Sequence, residues 1–254
     1  MNLLHAFVFG IVEGLTEFLP ISSTGHLILS EKLMGLAHGD FLGSFEIAIQ
    51  LGAILAVVCL YWKMLILDIE IIKRIAVAFI PTAVLGLVFY KIIKKVLLGS
   101  ENVVLWSLLV GGIIIIVFEL LHKEKDSDVE DLKQLSYKKA FMIGVFQSFA
   151  MVPGVSRSAA TIIGGLSLGL KRKTIVEFSF LLAVPTMAAA TALDLIKTAS
   201  SFTFSQFGLL SVGFTVSFFV AIGSIKFLLH FVKNHNFIIF GIYRILIAGL
   251  FIIF

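Results

Sequence analysis

Two short polar runs interrupt a chain that is otherwise apolar along most of its length. The first is Glu13-Gly-Leu-Thr-Glu17-Phe-Leu-Pro20-Ile-Ser22-Ser23-Thr24-Gly25-His26. The second is Gln147-Ser-Phe-Ala-Met-Val-Pro153-Gly154-Val-Ser156-Arg157-Ser158-Ala-Ala-Thr161. Around them, hydrophobic residues make up 59% of 254 positions and charged residues 14%, with a mean hydropathy of +1.08. That balance excludes a soluble globular domain of this size. Hydrocarbon penalises carboxylates, imidazole and guanidinium, so ionisable groups at membrane depth mark functional sites. The net charge of +4 is spread over loops. It sets topology and offers no nucleic-acid surface.

Six segments are long and apolar enough to cross about 30 Å of hydrocarbon: residues 42–62, 75–93, 102–121, 175–196, 207–230 and 236–254. Residues 140–152 and 157–170, separated by Pro153-Gly154, are each too short to span, and residues 1–19 and 27–37 repeat the pattern around Pro20. These pairs read as re-entrant hairpins, which lipid tolerates only where protein or a water-filled cavity surrounds them. Each half then holds one hairpin and three crossings, which inverts the second half relative to the first. The expected fold is an all-α polytopic membrane protein, one membrane domain over 1–254 with an inverted-topology repeat. It comprises six transmembrane helices plus two re-entrant helix hairpins. The first repeat covers about 1–121, a cytoplasmic linker about 122–139 and the second repeat about 140–254. Gly10-Ile-Val-Glu13 aligns with Gly144-Val-Phe-Gln147, and, with one gap, Pro20-Ile-Ser-Ser23 aligns with Pro153-Gly-Val-Ser156.

Thirteen Lys and Arg fall on one side of this layout, among them Lys73, Arg74, Lys133, Lys171 and Arg172, against Lys32, Lys91, Lys94, Lys95 and Lys197 on the other. The first side is therefore expected to be cytoplasmic, with both termini and the first hairpin mouth facing outward. The 122–139 stretch reads as a solvated loop. Cys59 is the lone cysteine, so it forms no internal disulfide and reads as a small hydrophobe. No basic n-region precedes the first apolar stretch, so no cleaved signal peptide is expected.

Glu13 and Glu17 are spaced i, i+4 and project from one helix face. Carboxylates that close repel unless a cation or a shared proton lies between them; the alternative is a pair of snorkelling glutamates. Pro20 to His26 is a helix-start signature. Free N–H groups and the positive end of the helix dipole suit an anion there. Pro153 to Ser158 provides a second such end and adds a guanidinium, the preferred bidentate partner of phosphate oxygens. Together the two ends suit a diphosphate. For Ser22, Ser23, Ser156 and Ser158, plain N-capping is an equal alternative. His26, one turn after Ser23, suggests a base–nucleophile pair, with His26 itself as rival nucleophile. Arg157 tethered to a glutamate is the alternative to phosphate binding. Glu46 and Gln50 share one face of a span behind the site. Glu119, Glu177 and Asp194 read as interfacial, Pro81 and Pro185 as kinks, and Arg244 in the last span requires a partner that the sequence does not name.

At these residues the chain resembles the bacterial undecaprenyl-diphosphate phosphatase family, also called the bacitracin-resistance family. E-G-L-T-E-F-L-P-I-S-S-T-G-H and P-G-V-S-R-S-A-A-T fit its two hallmark motifs with no departure, and length and hydropathy match along the whole chain. The resemblance implies hydrolysis of undecaprenyl diphosphate to undecaprenyl phosphate and inorganic phosphate, which recycles the lipid carrier of the cell wall. It implies a multi-pass protein of the bacterial plasma membrane, an active site opening to the outer face, and a divalent cation, Mg2+ or Ca2+. Carried over by motif position, the catalytic candidates are Glu13, Glu17, Ser23, His26 and Arg157, with Glu13 and Glu17 as metal ligands. Ser22, Thr24, Gly25, Gly154, Ser156, Ser158 and Thr161 would bind substrate. The partners are the lipid substrate and membrane lipid, with homo-oligomerisation left open. The rival class is an inverted-repeat transporter or flippase for a lipid phosphate.

Overall fold

The computed structural model describes residues 1–37, 39–92, 100–125, 128–198 and 206–253. Lys94 and Lys95 lie outside these, as do the side chains of Lys91, Asp194 and Lys197. The described residues form ten α-helices: α1 (Leu3–Thr16), α2 (Ser23–Leu33), α3 (Asp40–Leu67), α4 (Ile69–Ile92), α5 (Glu101–Leu121), α6 (Tyr137–Ser148), α7 (Arg157–Ser167), α8 (Arg172–Thr198), α9 (Phe207–Phe231) and α10 (Ile238–Ile253). Among the same residues there is no strand, only an isolated bridge between Val129 and Leu170. Five helices, α3, α4, α5, α8 and α9, are long and apolar enough to cross a membrane. The 236–254 segment, expected as a sixth span, forms the shorter α10 of 16 residues. Pro81 and Pro185 lie inside α4 and α8. Helical geometry is also interrupted at Tyr61 in α3, with φ −118° and ψ 18°.

Both polar runs break a helix pair as their sequence dictates. Pro20 has no N–H to offer the Thr16 carbonyl, and α1 ends at Thr16. Helix α2 restarts behind Ser22, whose hydroxyl accepts from Gly25 N at 3.4 Å. In the second run Ser156 accepts from Ala159 N at 3.2 Å and caps α7. Both capping serines hold positive φ, 70° and 76°, a strained conformation for a residue with a Cβ. Both half-helices end before a positive-φ glycine, Gly35 and Gly169. The shared geometry thus matches Ser22 with Ser156 without a gap, and Ser23 with Arg157. The gapped alignment had matched Ser23 with Ser156; cap geometry, unlike the proline, fixes where each helix begins.

Small residues set the closest packing. Helix α1 packs along α9 and α6 along α4. A Cβ at Gly10 would lie 2.7 Å from Gly213 O, and one at Gly144 only 1.9 Å from Ala78 O. Interhelical hydrogen bonds reinforce these contacts: Ser224 donates to Leu15 O at 2.9 Å and Ser217 to Ile49 O at 2.7 Å. Helix α3 also lies on α8 and α9, and α10 lies on α5.

The linker differs from a solvated loop. Leu132 and Leu135 are buried, and Arg74 donates to Leu135 O at 2.6 Å and Lys133 O at 2.5 Å. Lys133 reaches Asp68 at 2.8 Å, and its hydrogen bond holds that carboxyl below the ordinary carboxylate range. Glu119, expected at an interface, is buried. It accepts from Arg172 Nη2 at 2.5 Å and from Phe237 N at 3.2 Å, which ties α5 to the starts of α8 and α10.

Candidate active site

The two hairpin breaks meet. Ser158 on α7 donates to Phe18 O at 2.8 Å, so the start of α7 rests on the turn that follows α1. At this junction the Ser23 hydroxyl donates to Glu17 Oε2 at 2.7 Å. The other Glu17 oxygen, Oε1, accepts from Arg157 Nη2 at 3.1 Å, with only 7% and 11% of the two side chains exposed. Arg157 Nη1 donates to Ser179 O at 2.8 Å and to Ser179 Oγ at 3.2 Å on α8. Its Nε is buried and has no partner, so that donor is not spent on the protein.

Glu13 lies one turn before Glu17, fully buried, and neither of its carboxyl oxygens has a hydrogen-bond partner. Two hard oxygen atoms without a donor suit a small divalent cation. Such an ion often takes only one or two protein carboxylates and completes its shell with substrate phosphate and water. Among the described residues no set of three or more His, Cys, Asp or Glu forms a metal cage.

His26 does not meet Ser23. Its Nδ1 lies 2.7 Å from Ser22 O and its Nε2 lies 2.8 Å from Tyr243 Oη. A carbonyl oxygen can only accept, so Nδ1 carries the proton. In the neutral ring Nε2 then accepts from Tyr243, whose ring stacks on the imidazole with 5.5 Å between centroids. The expected Ser23–His26 pair is thus replaced by Ser23–Glu17. The chain reverses after Glu17 and carries Ser23 back to it, whereas α10 draws the imidazole away.

The remaining motif residues divide. Ser22 and Ser156 are caps, as above. Ser158 is spent on Phe18 O. Thr161 donates to Arg157 O at 3.0 Å and lies 2.6 Å from Ser179 Oγ. Each of these four hydroxyls has a partner within the protein. Gly25 makes room for Leu108, and Gly154 has a φ of +89°. Thr24 occupies the first turn of α2. Ser179 and Tyr243 escaped the sequence analysis. Ser179 is one small polar residue inside an apolar helix, and Tyr243 is marked only by its neighbour Arg244. The position in α6 that aligns with Glu13 is Gln147, which donates to Thr82 at 2.9 Å and to Thr186 at 3.0 Å. The carboxylate pair thus comes from the first half and the guanidinium from the second.

The bacitracin resistance protein BacA family model matches residues 6–250 of this chain. The chain belongs to this family. It is 56% identical over 244 residues to a protein named undecaprenyl-diphosphatase from Aquifex aeolicus, with 96% of this chain and 95% of that one covered. It is 55% identical over 251 residues to a protein of the same name from Sulfurihydrogenibium sp., covering 99% and 98%. A third of that name, from Methanococcus aeolicus, is 44% identical over 254 residues, covering 100% and 99%. The family match runs through both hairpins and all ten helices, so it takes in the whole site.

Proposed function

We propose that this chain hydrolyses undecaprenyl diphosphate to undecaprenyl phosphate and inorganic phosphate, as the names of its relatives indicate for them. The observation that carries this reading is the Ser23 hydroxyl bonded to a buried glutamate that is itself paired with Arg157. A serine becomes a nucleophile when an adjacent base takes its proton, and phosphoryl transfer otherwise needs positioning and charge neutralisation.

In this mechanism Ser23 Oγ attacks the terminal phosphorus and its proton passes to Glu17 Oε2. The bond from that phosphorus to the bridging oxygen breaks. Undecaprenyl phosphate leaves with the electron pair and takes the proton from Glu17. Water then attacks the phosphoserine and loses a proton to Glu17. Inorganic phosphate departs, and the proton returns to Ser23. Arg157 and the free N–H groups at the starts of α2 and α7 hold the phosphate oxygens. Glu13 and Glu17 would hold a divalent cation, Mg2+ or Ca2+, which neutralises phosphate charge when bound. His26 and Tyr243 fix the Ser22 carbonyl and so the start of α2.

We further propose an inverted-topology repeat of two hairpins and six crossings in the plasma membrane, α10 being the sixth, with the site opening outward. The recurring caps, the positive-φ serines and glycines, and the matched α1–α9 and α6–α4 contacts support it. A carrier for a lipid phosphate would want similar charges, but it has no use for a hydroxyl bonded to a base.

Purified protein in detergent is expected to release phosphate from undecaprenyl diphosphate, to stop in excess chelator and to recover with Mg2+ or Ca2+. Activity unchanged by chelator removes the cation from the mechanism. Transbilayer movement of the lipid with no phosphate release in any detergent or bilayer would replace hydrolysis by transport. For sidedness, single cysteines at positions 2 and 130 in a Cys59→Ser background are the test. A membrane-impermeant thiol reagent on intact spheroplasts is expected to label position 2 and spare 130; the reverse pattern inverts the orientation.

A further inference from the structure

Arg244 is 0% exposed within α10, and among the described residues no carboxylate pairs with it. Its five hydrogen bonds all go to backbone carbonyls. Nη1 donates to Val155 O at 2.8 Å and to Pro20 O at 3.4 Å. Nη2 donates to Gly154 O at 2.9 Å and to Ser107 O at 2.8 Å. Nε donates to Leu108 O at 3.4 Å. One planar cation therefore gathers carbonyls from the first hairpin turn, the second hairpin turn and α5.

The space for it is reserved. A Cβ on Gly111 would lie 2.2 Å from Arg244 Nη2 and 2.8 Å from its Cζ. Burying a guanidinium is expensive unless every donor is used, and here the fork spends its donors on three separate elements. Two effects follow for the adjoining anion site. Carbonyl oxygens at a turn carry partial negative charge that repels phosphate; three of them are turned onto Arg244. The guanidinium also fixes the distance between the turns that precede Ser22 and Ser156, the two caps from which α2 and α7 start.

We propose that Arg244 is a positioning residue: it sets the spacing and orientation of the two helix N-termini on which the diphosphate sits. This rests on the hydrolase reading above, so the first readout is one that needs no turnover, namely binding of inorganic pyrophosphate with Mg2+ by calorimetry.

Arg244→Ala, Arg244→Lys and Gly111→Ala are compared with wild type. Each folded variant is expected to bind pyrophosphate about tenfold or more weakly, the scale of lost hydrogen bonds to a charged group. Values of kcat/KM should fall by about 10²-fold. A Lys ammonium cannot reach three elements at once, so Arg244→Lys should resemble Arg244→Ala. Millimolar guanidinium should restore pyrophosphate binding to Arg244→Ala, and methylammonium should not. If Arg244→Ala does not fold, Gly111→Ala carries the test, because it keeps the charge and displaces it. Wild-type pyrophosphate affinity in any folded variant overturns the proposal, as does guanidinium without effect on a folded Arg244→Ala. Wild-type protein that binds pyrophosphate but releases no phosphate counts against the hydrolase reading and leaves the Arg244 comparison intact.

Discussion

Ser23→Ala is expected to lower phosphate release by at least about 10³-fold, the order of loss when one member of a nucleophile–base unit is removed. Ser22→Ala, one residue away, should retain a measurable fraction. The two hydroxyls sit beside each other in sequence but have different partners. Ser23 donates to Glu17, and Ser22 accepts from Gly25 N. Losing Ser22 is the loss of a cap, about 0.5–2 kcal/mol of stability. Losing Ser23 removes the atom that attacks. Glu17→Gln should cost about 10²–10⁴-fold in kcat, the range of general-base catalysis, and more than Tyr243→Phe, which frees His26 Nε2 without touching Ser23. Rapid quench separates the alternatives. A phosphoserine survives acid, whereas a phosphohistidine does not. An acid-labile adduct that persists in Ser23→Ala would give the attack to His26 and leave Ser23 as a helix-start residue.

Arg157→Lys is expected to be nearly as damaging as Arg157→Ala, with kcat/KM down by about 10²–10³-fold. The guanidinium spans from Glu17 on the first hairpin to the Ser179 carbonyl on α8 and still has Nε to offer. An ammonium is a point charge with one nitrogen and cannot hold both ends. Removing the cation altogether leaves Glu17 buried and unpaired, a loss of about 3–5 kcal/mol where a buried pair is broken. The lysine variant is therefore the cleaner measurement. KM should rise as kcat falls, because the contact to phosphate exists before the transition state as well as in it. Near-normal kinetics in Arg157→Lys would reduce Arg157 to a generic positive charge and shift the weight of phosphate binding to the helix N-termini.

The sequence by itself determined whatever depends on local covalent order. Apolar run length marked the long helices, Pro20 and Pro153-Gly154 marked the breaks, and the i, i+4 spacing put Glu13 and Glu17 on one face. The two polar runs identified the family. Local order also suggested His26 as the base for Ser23, since three residues apart on one helix is contact distance. Tertiary structure decided otherwise. The turn folds Ser23 back onto Glu17, and α10, far along the chain, supplies Tyr243 to take His26. The same helix supplies Arg244, whose partners are backbone carbonyls. Every residue carries a carbonyl, so no side-chain pattern could have named Pro20, Gly154 or Val155 as acceptors. Ser179 is equally silent in sequence: one of several hydroxyls in α8, it acquires meaning only when α7 lays Arg157 and Thr161 against it. Spacing along one helix reports which side chains can touch. Which of them do is settled by the elements that pack from elsewhere, because buried donors and acceptors must find partners wherever the fold places them.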